Sequence, residues 1–195
     1  MNKGRRSCPP DSTRENIVSQ FAIHRPSPLR RRLLLATGGL VLATPALRFS
    51  RAEDIVEIAM AGTATGSHVW FRPRGLYLRP GQGVRWVNKD AGNVHTTTAY
   101  HPDNGKALRI PQNAQSWDSG YLMPDQSFEL IFEVPGVYDY YCKPHEQAGM
   151  VGRIVVGDVD AQAQARALTD AGLPEAALAQ LAVPADIIAR GRIDD

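Results

Sequence analysis

Short apolar segments separated by turn residues occupy the middle of the 195-residue chain. In residues 126–134, Phe128, Leu130 and Phe132 alternate with Glu129 and Glu133 around them, which is typical of a strand with one buried face. Pro, Gly, Asn and Asp residues punctuate these segments as turn signals. The segments with strand character are 54–60, 75–78, 83–88, 94–100, 126–134, 137–142 and 152–156. Because no helical pattern separates them, we predict an all-β fold, a Greek-key antiparallel β-sandwich spanning residues 53–157.

Residues 158–195 carry a different pattern, which predicts a short helical C-terminal extension. The Ala-rich segment 161–172 ends at Gly172, a residue type that often terminates helices. Pro174 and Pro184 are placed to open two further helices. We expect the extension to pack on the sandwich through Leu178, Leu181, Val183, Ile187 and Ile188. A partly ordered extension is the alternative.

The N-terminal residues 1–52 have the composition of an export signal. A basic region leads into a short apolar run, residues 33–47, and then into small residues. The run is too short and too interrupted by Gly for a good transmembrane span. Arg30, Arg31 and Arg32 before it resemble a twin-arginine signal, and an ordinary secretory signal is the alternative. We expect cleavage after Ala52 and a mature protein in the periplasm without stable membrane insertion.

Removing the signal reverses the sign of the charge. The whole chain has 22 Lys and Arg and 20 Asp and Glu, and ten of the basic and two of the acidic residues lie in 1–52. The remainder has 12 basic and 18 acidic residues and a net charge of −6. Basicity therefore gives no reason to expect a nucleic-acid partner. An acidic protein is expected to meet partners that present basic docking patches, because complementary charge speeds encounter.

Cysteine usage points to a bound thiolate. Cys8 lies within the signal, which leaves Cys142 without a partner for a disulfide in the mature chain. A single cysteine in an oxidising compartment is either reactive or bound. Metal coordination explains Cys142 better, because a bound thiolate is shielded from oxidation.

The segment YYCKPHEQAGM, residues 140–150, carries the most specific chemistry. Cys142, His145 and Met150 place a thiolate, an imidazole and a thioether on one short loop. Pro144 stiffens the turn, and Gly149 lets the chain bend back. A second imidazole, that of His95, must come from another strand. Two His, one Cys and a weak axial Met form the ligand set of a blue copper site.

The stretch from Glu57 to Gly157 resembles the cupredoxins, the type 1 copper proteins of the plastocyanin and pseudoazurin group. The similarity rests on GVYDYYCKPHEQAGMVGRIVV, RWVNKDAGNVHT and MPDQSFELIFEVPG. It implies a cupredoxin-like sandwich and one type 1 copper bound by His95, Cys142, His145 and Met150. The chain departs from plastocyanin at Thr96, where plastocyanin has Asn, in the remodelled loop 101–111, and in its C-terminal extension. Pseudoazurin also carries helices after its last strand.

These features favour a diffusible, monomeric one-electron carrier rather than an enzyme. We expect redox donors and acceptors to dock near His145. A periplasmic copper-binding or copper-delivery protein is the alternative, although the Met-rich or His-rich tracts that would favour it are missing. A copper oxidase would resemble repeated domains with paired His-x-His motifs, and the sequence has neither.

Further polar residues lie close to the predicted ligands in sequence. We expect Thr96 to reach the Cys142 loop, and Asn88 and Asp90 to brace the upstream loop, although both could be ordinary turn residues. His68 and His101 are expected to be surface residues, because neither has a ligand-rich neighbourhood in sequence.

Overall fold

The structure is a computed structural model that describes residues 55–161, 164–165, 168 and 172–194. The predicted signal, residues 1–52, and its cleavage site lie outside the described residues. None of the helices among the described residues combines the length and the apolar character that a membrane span requires. The described residues contain nine strands: β1 (Ile55–Gly62), β2 (Val69–Arg72), β3 (Gly75–Leu78), β4 (Gln82–Asn88), β5 (Thr98–Ala99), β6 (Ser127–Phe132), β7 (Gly136–Tyr141), β8 (Val151–Val156) and β9 (Arg192–Ile193).

The strands form two sheets, and the predicted β-sandwich is confirmed. One sheet has the order β2-β1-β4-β6, and the other has the order β5-β7-β8-β3-β9. Most neighbours are antiparallel, but β1 pairs with β4 and β3 pairs with β8 in parallel, so both sheets are mixed rather than purely antiparallel. The parallel pairing of β1 with β4 arises because the chain crosses from one sheet to the other between β2 and β3 and does not reverse its direction there. The tight turn before β4 then returns the chain beside β1 in the same direction.

Aromatic side chains fill the space between the sheets. The indole of Trp86 on β4 is fully buried. Ring centroids of Trp117, Phe132 and Tyr140 lie 5.5 to 6.2 Å from it. The alternation predicted for β6 is confirmed. Phe132 faces this core, while Ser127, Glu129 and Ile131 on the other face of the strand are exposed. Aromatic packing of this kind adds stability beyond the apolar area that it buries.

The C-terminal extension contains two short helices, α1 (Glu175–Gln180) and α2 (Pro184–Arg190), which confirms the prediction of a helical tail. Both begin at or directly after the prolines that predicted them. In the first predicted helix, residues 161, 164 and 165 are helical, and most of the remainder lies outside the described residues. The predicted apolar face was partly wrong, since Val183 and Ile188 are exposed. Ile187 is buried as predicted, and Ala177, Ala182 and Ile193 are buried as well, although the sequence did not predict them for this face.

A buried ion-pair cluster fixes the strand that carries the first loop ligand. Asp139 on β7 is fully buried, and its carboxylate accepts hydrogen bonds from Arg153 on β8. Arg109, in the predicted remodelled loop, donates through Nε to the same carboxylate at 2.9 Å. Backbone bonds also tie Arg109 to both Tyr100 and Asp139. The loop is thereby held against β7, three residues before Cys142.

We predict that Asp139→Asn lowers the free energy of unfolding of the metal-free protein by about 3 kcal/mol, because two buried guanidinium groups lose the carboxylate that they share. Urea denaturation measures this change. The matched control is Glu129→Gln, which neutralises one partner of the exposed Arg85–Glu129 pair. It should cost less than about 1 kcal/mol. Equal losses in the two variants would contradict the importance of the buried cluster.

Candidate metal centre

Three of the predicted ligands lie on the loop between β7 and β8. Cys142 follows the last residue of β7, and a 3-10 helix, Lys143–Ala148, then presents His145. Gly149 ends this helix with φ of 84°, a conformation that glycine adopts without strain. The Cys142 N–H donates to the Met150 carbonyl at 3.0 Å, and the Met150 N–H donates to the His145 carbonyl at 3.1 Å. Backbone hydrogen bonds therefore close the loop independently of any metal.

The fourth predicted ligand, His95, comes from the segment that follows β4. Its backbone pairs with Leu122 through two hydrogen bonds of 3.2 and 2.8 Å. The side chain is fully buried, and its Nδ1 lies 3.6 Å from Cys142 Sγ. His145 Nδ1 lies 3.4 Å from the same sulfur. One ligand atom from each of these three residues falls within 4.8 Å of the others.

The donor spacing fits a single small metal ion. Nitrogen and sulfur donors bind such ions at about 2.0 and 2.3 Å, so donors in a trigonal plane stand about 3.5 to 4 Å apart. The observed sulfur-to-nitrogen distances of 3.6 and 3.4 Å lie at the short end of this spacing. A thiolate with two imidazoles is also the equatorial donor set of blue copper. The residues present therefore fit a type 1 copper ion.

Met150 lies on the same loop as Cys142 and His145, and the backbone hydrogen bonds described above fix its position. Its side chain is fully buried and belongs to the same apolar cluster as Cys142. A thioether there meets the requirement for a weak, soft donor shielded from water. The structure thus brings all four sequence-predicted residues to one end of the sandwich.

Burial disfavours charge on each donor. It raises the pKa of the Cys142 thiol to about 11, although the Thr96 N–H, 3.3 Å from the sulfur, opposes the shift. Burial also lowers the pKa of His95 and that of His145. At neutral pH the metal-free donors are a thiol and neutral imidazoles, so metal binding must release the thiol proton. A bound cation supplies the positive charge that a buried thiolate needs.

Two of the neighbouring polar residues act as the sequence predicted. The Thr96 N–H points at Cys142 Sγ, and the Thr96 hydroxyl accepts the Lys143 N–H at 2.9 Å. The Asn88 amide donates to the carbonyls of Asn93 and Leu122 and accepts the Asp90 N–H. The upstream loop is thereby braced against the segment that pairs with His95.

Asp90 does more than brace the loop. Its Oδ2 lies 3.1 Å from His95 Nε2, a contact that the sequence reasoning missed. Burial alone would raise the pKa of Asp90, but hydrogen bonds from Asn93, Gly92 and His95 outweigh burial and hold the pKa below its ordinary value. Only the five-residue spacing of an acid before a predicted His ligand could have signalled the contact.

The remaining described histidines stand apart from this cluster. His68 is exposed and stacks on Trp70, with ring centroids 5.2 Å apart. His101 is partly exposed, and its Nδ1 accepts the Asp103 N–H at the start of a short 3-10 helix. Neither belongs to the metal-ligand group found in the described residues.

Comparison with known proteins agrees with the geometry. The profile of the copper binding proteins of the plastocyanin/azurin family matches residues 58–157. A pseudoazurin from Methylorubrum extorquens is 30% identical over 128 residues, covering 65% of this chain and 78% of that protein. A chloroplastic plastocyanin from Tetradesmus obliquus is 26% identical over 149 residues, covering 76% and 92%. The structure of a pseudoazurin from Sinorhizobium meliloti, 24% identical, has the same fold with a TM-score of 0.50 and covers 65% of this chain and 89% of that one.

Proposed function

The chain belongs to the plastocyanin/azurin family of copper-binding proteins, and from this premise we propose how it holds its metal, where it works and how partners reach it. It binds one copper ion and is a blue copper electron carrier that exchanges electrons with redox partners. Its role is electron transfer, and we propose that it catalyses no reaction of its own. Bound copper supplies the one-electron Cu(II)/Cu(I) couple.

The residues that would hold the copper are Cys142, His95 and His145, and Met150 would supply a fourth, weaker sulfur donor. The observation that supports this proposal is the close grouping of one sulfur and two Nδ1 atoms, with Cys142 and His95 buried and His145 partly exposed. Such a donor set lies between the preferences of the two copper oxidation states. The β7–β8 loop, closed by its own backbone hydrogen bonds, and the His95–Leu122 pairing hold the donors in place. Little rearrangement is then needed when an electron arrives.

Electrons are proposed to pass at the exposed side of His145. Cys142, His95 and Met150 are buried, whereas His145 is partly exposed. Pro144 beside it is exposed and uncharged. A partner can therefore approach His145 closely and exclude water there. We also propose that the protein is a monomer, which leaves this face free for redox partners.

We propose further that residues 1–52 direct export to the periplasm and are removed, leaving the sandwich of 53–157 and the extension of 158–195. The support is the order of basic, apolar and small residues in 1–52 and the unpaired Cys142. We predict that the exported protein begins near Glu53, as read by intact-mass measurement. A mass that still contains residues 33–47 would instead mean an uncleaved anchor.

Replacement of Cys142 by Ser tests the proposed function. We expect Cys142→Ser to lose the intense visible thiolate-to-copper band, because serine offers no soft sulfur donor. The far-UV circular dichroism should still report a folded sandwich, since the core lies in other residues. His101→Ala, which removes a histidine outside the cluster, should keep the band.

An intense band retained by Cys142→Ser would contradict the ligand assignment. A pale spectrum from the unsubstituted protein with Cu(II) would indicate simple chelation and would favour the copper-delivery alternative.

A charge placed at the proposed docking face should slow electron exchange. We predict that Pro144→Glu reduces the electron self-exchange rate, measured by NMR line broadening, by about tenfold, because two acidic proteins then bring like charges together at contact. Pro80→Glu adds the same charge beside Gly157, at the end of β8 that lies about 20 Å from the ligand loop and so beyond the screening length, and should change the rate by less than about twofold. Equal effects of the two substitutions would refute this route.

A further inference from the structure

A buried carboxylate lies behind the His95 imidazole. The ring turns Nδ1 toward Cys142 Sγ at 3.6 Å and Nε2 toward Asp90 Oδ2 at 3.1 Å. The exposed fractions of the two side chains are 0% for His95 and 5% for Asp90. An ionised carboxylate can only accept hydrogen bonds, so the ring nitrogen that faces it, Nε2, must carry the proton. The contact thereby selects the tautomer in which Nδ1 has a free lone pair.

The Asp90 carboxylate is itself fixed in one orientation. Oδ1 accepts the Gly92 N–H at 2.9 Å, and Oδ2 accepts the Asn93 amide at 2.8 Å together with the His95 ring. The Asp90 N–H donates in turn to the Asn88 side chain at 2.9 Å. Three donors converge on the two carboxylate oxygens, which stabilises the ionised form. A neutral amide at this position could not accept all three, because its nitrogen would face a donor.

The end of β1 leaves room for this carboxylate. A Cβ on Gly62 would stand 2.2 Å from Asp90 Oδ2, far inside van der Waals contact. Gly62 does not have a positive φ, so space rather than backbone conformation explains the need for glycine there. Two separate chain segments are thus shaped around the contact between Asp90 and His95.

We propose that Asp90 is a positioning residue for the copper site: it locks His95 with Nδ1 free for the metal, and its buried negative charge favours Cu(II) over Cu(I). The inference rests on the proposed function of the same site. A hydrogen bond from the distal N–H of a histidine ligand to a carboxylate orients the ring and strengthens the proximal nitrogen as a donor. A buried charge is weakly screened, and it stabilises the more positive oxidation state more strongly.

The test compares Asp90→Asn with Asp118→Asn in the copper-loaded protein. Both substitutions remove one negative charge near the ligands. Asp118 accepts from Lys143, which follows Cys142, and from the Thr98 hydroxyl, rather than from a histidine ring. Equilibrium redox titration gives the midpoint potential. We expect Asp90→Asn to lower the Cu(II)-to-Cu(I) affinity ratio at least tenfold, which raises the potential by about 59 mV for one electron. Asp118→Asn should change that ratio less than threefold.

A second readout follows the tautomer directly. Nitrogen-15 NMR of the metal-free protein should show His95 in the unsubstituted chain as a single form protonated at Nε2. Asp90→Asn should give a mixture of tautomers, whereas Asp118→Asn should keep the single form. A change in charge alone, without the hydrogen bond, would not alter the tautomer.

Equal shifts in potential for the two variants, or an unchanged tautomer in Asp90→Asn, would overturn the proposal. If Asp90→Asn does not fold, the unsubstituted protein still decides, because a His95 protonated at Nδ1 in its metal-free form is incompatible with the proposed lock. Failure of the proposed function has a different signature. The unsubstituted protein would then lack the intense visible band with copper, whatever the tautomer of His95.

Discussion

The site depends on holding two chain segments, 47 residues apart, at a fixed distance without help from a metal. The Thr96 N–H donates to Cys142 Sγ, and the Thr96 hydroxyl accepts the Lys143 N–H. Because Thr96 directly follows His95, these bonds set the distance between the upstream imidazole and the thiolate. The donors already stand at trigonal spacing in the folded chain. Metal binding then requires little backbone movement, and the rigid donor set limits rearrangement during electron transfer.

Burial of the metal donors also controls the charge of the site before and after metal binding. It disfavours the thiolate of Cys142 and the imidazolium forms of His95 and His145, so the metal-free site is close to neutral. Asp90 is the exception, since its hydrogen bonds keep it ionised despite burial. The carboxylate and the thiolate together place two negative charges around one cation. The buried charges are balanced only when the metal is bound, which couples metal affinity to the stability of this end of the sandwich.

The sequence predicted what local patterns and short spacings can specify. The C-x2-H-x4-M spacing placed Cys142, His145 and Met150, and alternation in β6 placed its buried face. What it missed arises from contacts between distant segments. β9 forms because α2 returns the chain to the edge of β3, a pairing without its own sequence signal. Ala177 and Ala182 are buried in the tail although their small side chains gave no sign of it, and Ala182 packs so closely on β3 that a Cβ on Gly75 would lie 2.9 Å from it.

The C-terminal tail also limits the open surface around the proposed docking face. A Cβ on Gly149 would lie 2.9 Å from the Ala176 carbonyl of α1, so that helix packs closely against the end of the ligand loop. Glu146, in the middle of the loop, is buried and paired with Lys106. With these two sides of the loop covered, Lys143, Pro144, Gln147 and Ala148 are its exposed residues, and His145 is partly exposed beside Pro144. The extension beyond the sandwich thus covers one side of the loop and narrows the surface over which we propose that partners approach.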